Sequence, residues 1–352
     1  MDIYSYSAII LAAGDGVRLK SSIPKAFHRV GGLSLVDHVI KSALESGIGD
    51  VRVVIRQEHE AFFHSEFKEK ISMAHQASPR GTGDAVKCAL GNMNPSANEF
   101  VYLLYADIPL VSKNTLQKLA DVAVSCSRTA VVVLAMEAAG SNALGRLEAA
   151  ETEGTIKSIV ESRDASGTTT NRFLPLCNAG LLVRKDMLLN LIEQINPSPV
   201  TGEIYATDIV RLAHEAGHLC RYYTADVSEL SGANTRGELA ALELYFQQKM
   251  RQKHLANGVT LVAPETVFFS FDTIIENDVT IKPFVVFGRH VHIKSGSVIE
   301  SFCSIDGSEV ENAVIGPFGR LRQGTQINAG AHIGNFVEIK NSSIGENAKI
   351  NH

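Results

Sequence analysis

The residues of this chain best equipped for chemistry on a charged ligand lie near its start. Between Ala8 and Lys25 the sequence reads AIILAAGDGVRLKSSIPK. Gly14 and Gly16 allow a sharp backbone turn and a close approach of N–H groups to a ligand. Arg18 follows, and Lys25 stands just after Pro24. A short apolar run, a glycine turn and downstream cations make a place to hold a polyphosphate. An ordinary strand-turn with surface charges fits the same residues. The stretch is not a Walker loop, which needs Gly-Lys-Ser/Thr after four spacer residues. Nor is it the dinucleotide fingerprint, because Leu19 stands where the third glycine belongs.

Three further groups carry chemical interest. Asp107 follows the apolar run 100–105. A carboxylate at a strand end suits Mg²⁺, which takes one or two protein carboxylates and completes its shell with water and phosphate oxygens. A helix N-cap is the competing reading. The amide of Gln76 offers both a donor and an acceptor to a base edge such as uracil's, and Gly81-Thr82-Gly83 could approach that base closely. As plain sequence, 76–85 also reads as a loop and helix cap. His214-Glu215-Ala216-Gly217-His218 matches the H-E-x-x-H zinc pattern. That chemistry needs both histidines on one helix face. Gly217 reads as a C-cap glycine after a helix over 208–216, with a strand over 219–224, so His218 should fall off the helix and zinc is not expected.

The elements that must position these groups alternate. Strands are predicted over 8–13, 51–55, 100–105 and 130–135, and helices over 35–46, 82–90 with Thr82 as N-cap, and 114–123. This βαβα order argues for a mostly parallel sheet with helices on both faces and ligands at the strands' carboxyl ends. Residues 234–257, rich in Ala, Leu, Glu, Gln and Lys, predict one long helix closed by Gly258. Beyond it the sequence repeats every six residues: Ile275, Ile281, Phe287, Ile293, Ile299 and Ile305, then, after a break, Ile315, Leu321, Ile327, Ile333 and Ile339, then with a slip Ile344 and Ile350. No helix has that period. It is the signature of a parallel β-helix with three flat faces, one hexad per face. The expected division is 1–232, a linker helix 233–258, and 259–352.

With 352 residues, 45% apolar and 20% charged, the chain has room for two ordinary globular domains. A net charge of −5 argues against non-specific binding to nucleic acid or an anionic membrane. A phosphate ligand must then be held by local cations, backbone N–H groups or a metal. Cys88, Cys126, Cys177, Cys220 and Cys303 form no C-x-x-C pair, and a reducing cytoplasm is the expected compartment. The N-terminus has no basic region before its apolar run, so no secretory signal is expected.

The first stretch resembles the signature of the sugar-nucleotide pyrophosphorylases, L-A-A-G-x-G-x-R-(M/L)-x(5)-P-K. Leu11, Ala12, Ala13, Gly14, Gly16, Arg18, Leu19, Pro24 and Lys25 fill every fixed position. The continuation to Gly32 looks like that of the bifunctional N-acetylglucosamine-1-phosphate uridylyltransferase/glucosamine-1-phosphate acetyltransferases. Six more pieces resemble that family in order: Gln76 with Gly81-Thr82-Gly83; Ala106-Asp107-Ile108-Pro109-Leu110; Gly145-Arg146 with 159–165; Asn178-Ala179-Gly180; Gly202 to Asp208; and Gly232-Ala233-Asn234. Ala106, Leu144 and Ala179 stand where the pattern usually has glycine, tyrosine and threonine.

The resemblance implies a Rossmann-like nucleotidyltransferase domain of the GT-A type, then a left-handed β-helix of hexapeptide repeats that forms homotrimers. It implies UTP and N-acetylglucosamine 1-phosphate as substrates. Arg18 and Lys25 would be catalytic. Leu11, Ala12, Ala13, Gly14, Gln76, Gly81 and Thr82 would meet the nucleotide. Gly145, Glu161, Asn178 and Thr207 would meet the sugar, and Asp107 with Asn234 would hold Mg²⁺. A pyrophosphorylase for another base or sugar, or a non-catalytic scaffold, are the alternatives. Arg322 and Lys340 match a phosphate-binding pair of the family's acetyltransferase site. His352 falls at its catalytic base, where the sequence stops, so no acetyltransferase activity is expected of this chain.

Overall fold

The computed structural model describes residues 5–91, 99–137, 144–164 and 173–352. Residues 1–4 and Ala165 of the 159–165 motif lie outside them. The chain divides into two compact units, Met1–His28 with Ser34–Leu239, and Arg29–Leu33 with Ala240–His352.

The first unit is built on a nine-stranded sheet. Its main path runs Leu219–Thr224, Thr129–Glu137, Phe173–Arg184, Glu99–Tyr105, Ser5–Leu11, Asp50–Ile55 and Ser72–His75, and Arg146–Ala149 and Ile156–Val160 branch from Phe173–Arg184. Strand residues alternate between faces. Ala8 and Ile10 join a core formed with Val36, Val39, Leu116 and Leu119 from the helices Leu35–Glu45 and Lys113–Val124. Ile9 joins another formed with Val86, Leu188 and Ile209 from the helices Thr82–Leu90, Lys185–Leu191 and Asp208–Glu215. Both faces are thus covered, as the alternation of elements requires.

The mostly parallel order is as expected, with one strand of the main path reversed, and one expectation needs correction. Phe173–Arg184 runs antiparallel to both Glu99–Tyr105 and Thr129–Glu137, and sits between them. The sheet is therefore mostly parallel, with this inner strand reversed and the branch strands Arg146–Ala149 and Ile156–Val160 antiparallel to each other. Thr82 is the first helical residue rather than the N-cap; Gly81 occupies that place, and the Thr82 hydroxyl accepts instead from Ala206 N at 2.9 Å. The helix Asp208–Glu215 does end before Gly217 (φ 79°), so His218 lies past its end.

In the second unit, short strands stack in three parallel sheets to form a left-handed parallel β-helix. Each sheet collects every third hexad: Ile281, Ile299, Ile315, Ile333 and Ile350 on one, Phe287, Ile305, Leu321 and Ile339 on the next. The third explains the break in the count. Val310, fully buried, pairs with Ile293 and Ile327 after a shortened step, and Ile344 follows in the same ladder. One corner carries Phe284, Phe302, Phe318 and Phe336, all at left-handed φ (57–64°) with their rings stacked at 4.9–5.0 Å. These rings are all exposed, Phe336 by 72%.

Candidate active site

The carboxyl ends of Ser5–Leu11, Ser72–His75 and Glu99–Tyr105 open on a cleft of about 250 Å³. Leu11, Ala12, Ala13, Gly14, Lys25, Gln76, Gly81, Thr82 and Asp107 all line it. These residues come from three separate motifs and meet in one place. The parallel register brings them there: Leu11 lies beside Tyr105, and Ala106 N donates to Leu11 O at 3.1 Å.

Gly16 shows why the first motif needs glycine. Its φ is +70°, and a Cβ there would lie 2.5 Å from Lys25 Cβ. The loop and the Pro24-Lys25 turn can approach only without that side chain. Gly81 (φ +109°) is similarly tight, since a Cβ would meet Ile204 O at 2.4 Å.

Asp107 and Asn234, far apart in sequence, are joined by Lys25. The Lys25 ammonium donates to Asp107 Oδ2 and, at 2.9 Å, to Asn234 Oδ1. Ala233 N donates to Asp107 O at 3.1 Å, tying the 232–234 segment to the strand end. A capping box finishes the placement. Thr235 Oγ1 accepts from Glu238 N at 3.2 Å, and Glu238 Oε2 accepts from Asn234 N at 2.6 Å and Thr235 N at 2.9 Å. The expected helix over 234–257 accordingly begins at Arg236 and ends at Ala256. One carboxylate and one amide oxygen that converge on a shared cation suit a hard divalent ion such as Mg²⁺, which needs few protein ligands. Among the described residues there is no cluster of three or more His, Cys, Asp or Glu able to hold a metal.

Gln76 is buried. Its Nε2 donates to Gly81 O at 3.1 Å and to Asp84 Oδ2 at 2.8 Å, and its Oε1 has no hydrogen-bond partner among the described residues. A base could use that acceptor. Arg18 is exposed on the Val17–Leu19 turn and is not among the lining residues.

The four sugar-side candidates form their own group. Thr207 Oγ1 donates to Glu161 Oε1 at 2.8 Å, a Cβ on Gly145 would lie 3.2 Å from that same oxygen, and Gly145 O accepts from Asn178 N at 2.9 Å. Burial raises the pKa of the Glu161 carboxyl, and the Thr207 hydrogen bond opposes that shift. The link to the cleft is Tyr105. Asn178 Nδ2 donates to its hydroxyl at 3.0 Å, and burial holds the phenol well above its usual pKa. Glu203 of the Gly202 to Asp208 piece also lines the cleft, and motif reading missed Tyr105. Its position at the end of the strand that leads to Asp107 was the available signal.

In the second unit Arg322 and Lys340 are register partners on adjacent strands, and Arg322 Nη1 donates to Glu338 Oε1 at 2.7 Å. His352 is exposed, two residues past Ile350.

Comparison with known proteins adds to this geometry. Residues 8–168 match the family of MobA-like NTP transferase domains. The whole chain is similar to curated proteins called Bifunctional protein GlmU. It is 40% identical to that of Paramagnetospirillum magneticum over 351 residues, 98% of this chain and 76% of the relative. The one from Agrobacterium fabrum is 37% identical over 349 residues, with the same shares covered. The one from Paracoccus denitrificans is 40% identical over 348 residues, again 98% and 76%.

Proposed function

The chain belongs to the family of bifunctional GlmU proteins, and from that premise we propose that its first unit joins UTP to N-acetylglucosamine 1-phosphate, giving UDP-N-acetylglucosamine and pyrophosphate. The observation that carries this reading is the meeting of the signature loop, Gln76 and the Asp107–Lys25–Asn234 group at one cleft.

In the proposed reaction an oxygen of the sugar phosphate attacks the α-phosphorus of UTP in line. A new phosphorus–oxygen bond forms as the bond to pyrophosphate breaks. The attacking oxygen is already anionic, so no protein nucleophile or general base is required, and catalysis consists of orientation and charge stabilisation. Gln76 Oε1 would accept from the uracil imide, and the N–H groups of the loop from Ala12 to Gly14 would meet the phosphates. Lys25 and Arg18 would offset the negative charge that builds on the phosphorus centre and the leaving pyrophosphate. Asp107 and Asn234 would hold Mg²⁺, which when bound neutralises phosphate oxygens. Gly145, Glu161, Asn178 and Thr207 would orient the amino sugar.

The stacked phenylalanine corner supports a homotrimer formed through the β-helix, because a ladder of exposed rings is a poor monomer surface. Five free thiols suit a cytoplasmic protein. No helix among the described residues is long and apolar enough to cross a membrane.

A panel of nucleoside triphosphates and sugar 1-phosphates, assayed for pyrophosphate release, tests the assignment. The UTP and N-acetylglucosamine 1-phosphate pair should exceed every other pair. Background rates with that pair, or a faster rate with another base or sugar, would overturn it.

A further inference from the structure

Asp15 is an awkward residue for a loop that receives a triphosphate. It places a carboxylate between Gly14 and Gly16, next to the most heavily charged part of the ligand. A cation from another strand meets it. Arg56 directly follows the strand Asp50–Ile55, whose end runs beside that of Ser5–Leu11 with Val54 opposite Leu11. Arg56 Nη1 donates to both carboxylate oxygens of Asp15, at 2.6 and 2.7 Å, and Arg56 Nη2 pairs with Glu58. His59 Nε2 lies 3.3 Å from Asp15 Oδ1. His59 is buried, which depresses its pKa, so at neutral pH Arg56 carries the charge that balances Asp15. The Arg56 side chain is only 19% exposed, and its Nε is buried without a hydrogen-bond partner among the described residues. Phe27 packs edge-on against His59 and Phe63, which seats the turn Gln57–Phe62 beside the Lys25–Phe27 turn.

We infer that Arg56 is a positioning residue for the nucleotide: it holds the Asp15 side chain and cancels its charge, which lets the loop accept a polyphosphate. This rests on the uridylyltransferase reading above. Like charges repel over a few ångströms near a protein surface, and salt weakens the effect. An uncancelled Asp15 therefore acts on UTP far more than on the sugar or on the chemical step.

The test pairs steady-state kinetics with calorimetric UTP binding on the full chain. Arg56→Gln should raise KM and Kd for UTP roughly tenfold, the scale of one poorly screened charge. The KM for the sugar phosphate and kcat should stay within about twofold. The UTP defect should shrink as salt rises from about 0.05 to about 0.5 M. The double variant D15N/R56Q should return UTP affinity to within about threefold of the parent, since neither charge remains. Asp15→Asn alone should bind UTP as well as the parent or better. Unchanged UTP affinity in Arg56→Gln, or a double variant no better than the single one, overturns the inference. If Arg56→Gln does not fold, Asp15→Asn decides, and a clear loss of UTP affinity there overturns it. A parent protein that binds no UTP overturns the functional reading as well. Normal UTP binding by both parent and Arg56→Gln overturns this inference alone.

Discussion

Replacing Gly16 by alanine should cripple turnover while leaving the fold recognisable. The residue sits at φ +70°, where an L side chain costs about 1–2 kcal/mol. Its new Cβ would also lie 2.5 Å from Lys25 Cβ, 3.2 Å from Lys25 Cγ and 3.3 Å from Lys25 Cα. These are atoms close to the backbone, with no flexible tip to swing away. An ordinary carbon contact is about 3.5–4.0 Å, so the loop or the Lys25 turn must move by roughly 1 Å. Relief of that overlap adds about 1–3 kcal/mol to the stability cost. The same movement carries the Lys25 ammonium away from Asp107 and Asn234. A displacement of about 1 Å in a site built on orientation costs about 10²-fold in rate. Gly16→Ala should therefore unfold at lower denaturant and release pyrophosphate about a hundredfold more slowly at saturating substrate. A variant that is destabilised but turns over at the parent rate would refute the link from the glycine turn through Lys25 to catalysis.

Asp107→Asn should reduce turnover by about 10²-fold or more, because it removes the carboxylate that anchors Lys25 and the proposed metal site, and Arg18→Ala should do likewise. Near-normal turnover in both, measured by pyrophosphate release, would sink the catalytic assignment. His254 has both ring nitrogens buried without hydrogen-bond partners among the described residues, and its pKa is pushed down to about 4, mainly by burial and then by Lys253. Its stabilising contribution is present above the unfolded value of 6.5 and is lost as pH falls towards 4, by about 3 kcal/mol at the bottom of that window. His254→Leu should accordingly gain on the parent between pH 8 and pH 5, by about 2 kcal/mol in denaturant unfolding; a difference that does not change with pH would contradict this. Light scattering should show a trimer, and a particle of only 38.0 kDa would refute one.

Much of this protein can be read from local sequence, because much of it is locally coded. The six-residue period survives folding, apart from the shortened steps at Val310 and Ile344, because each coil of a β-helix repeats the same environment, so a single aliphatic position per hexad suffices to mark the core. The loop from Gly14 to Lys25 was legible for a different reason. Gly16 answers to a positive φ and to a close contact with Lys25, both within that one stretch. Thr82 was misplaced by one position because a hydroxyl that could cap its own helix instead serves Ala206, across the fold.

Only the tertiary structure decided the rest. The reversed strand Phe173–Arg184 reads as an apolar run like its neighbours, and its direction is set by pairing partners remote in sequence. The hydrogen bond from Ala233 to Asp107, and Lys25 lying between Asp107 and Asn234, join three segments that no window of sequence contains. Tyr105 enters the cleft because Asn178 comes from that same reversed strand. Arg56 reaches Asp15 because parallel register puts the ends of two strands side by side. Local periodicity determines what each segment becomes; long-range pairing determines which charges meet, and no residue carries that information alone.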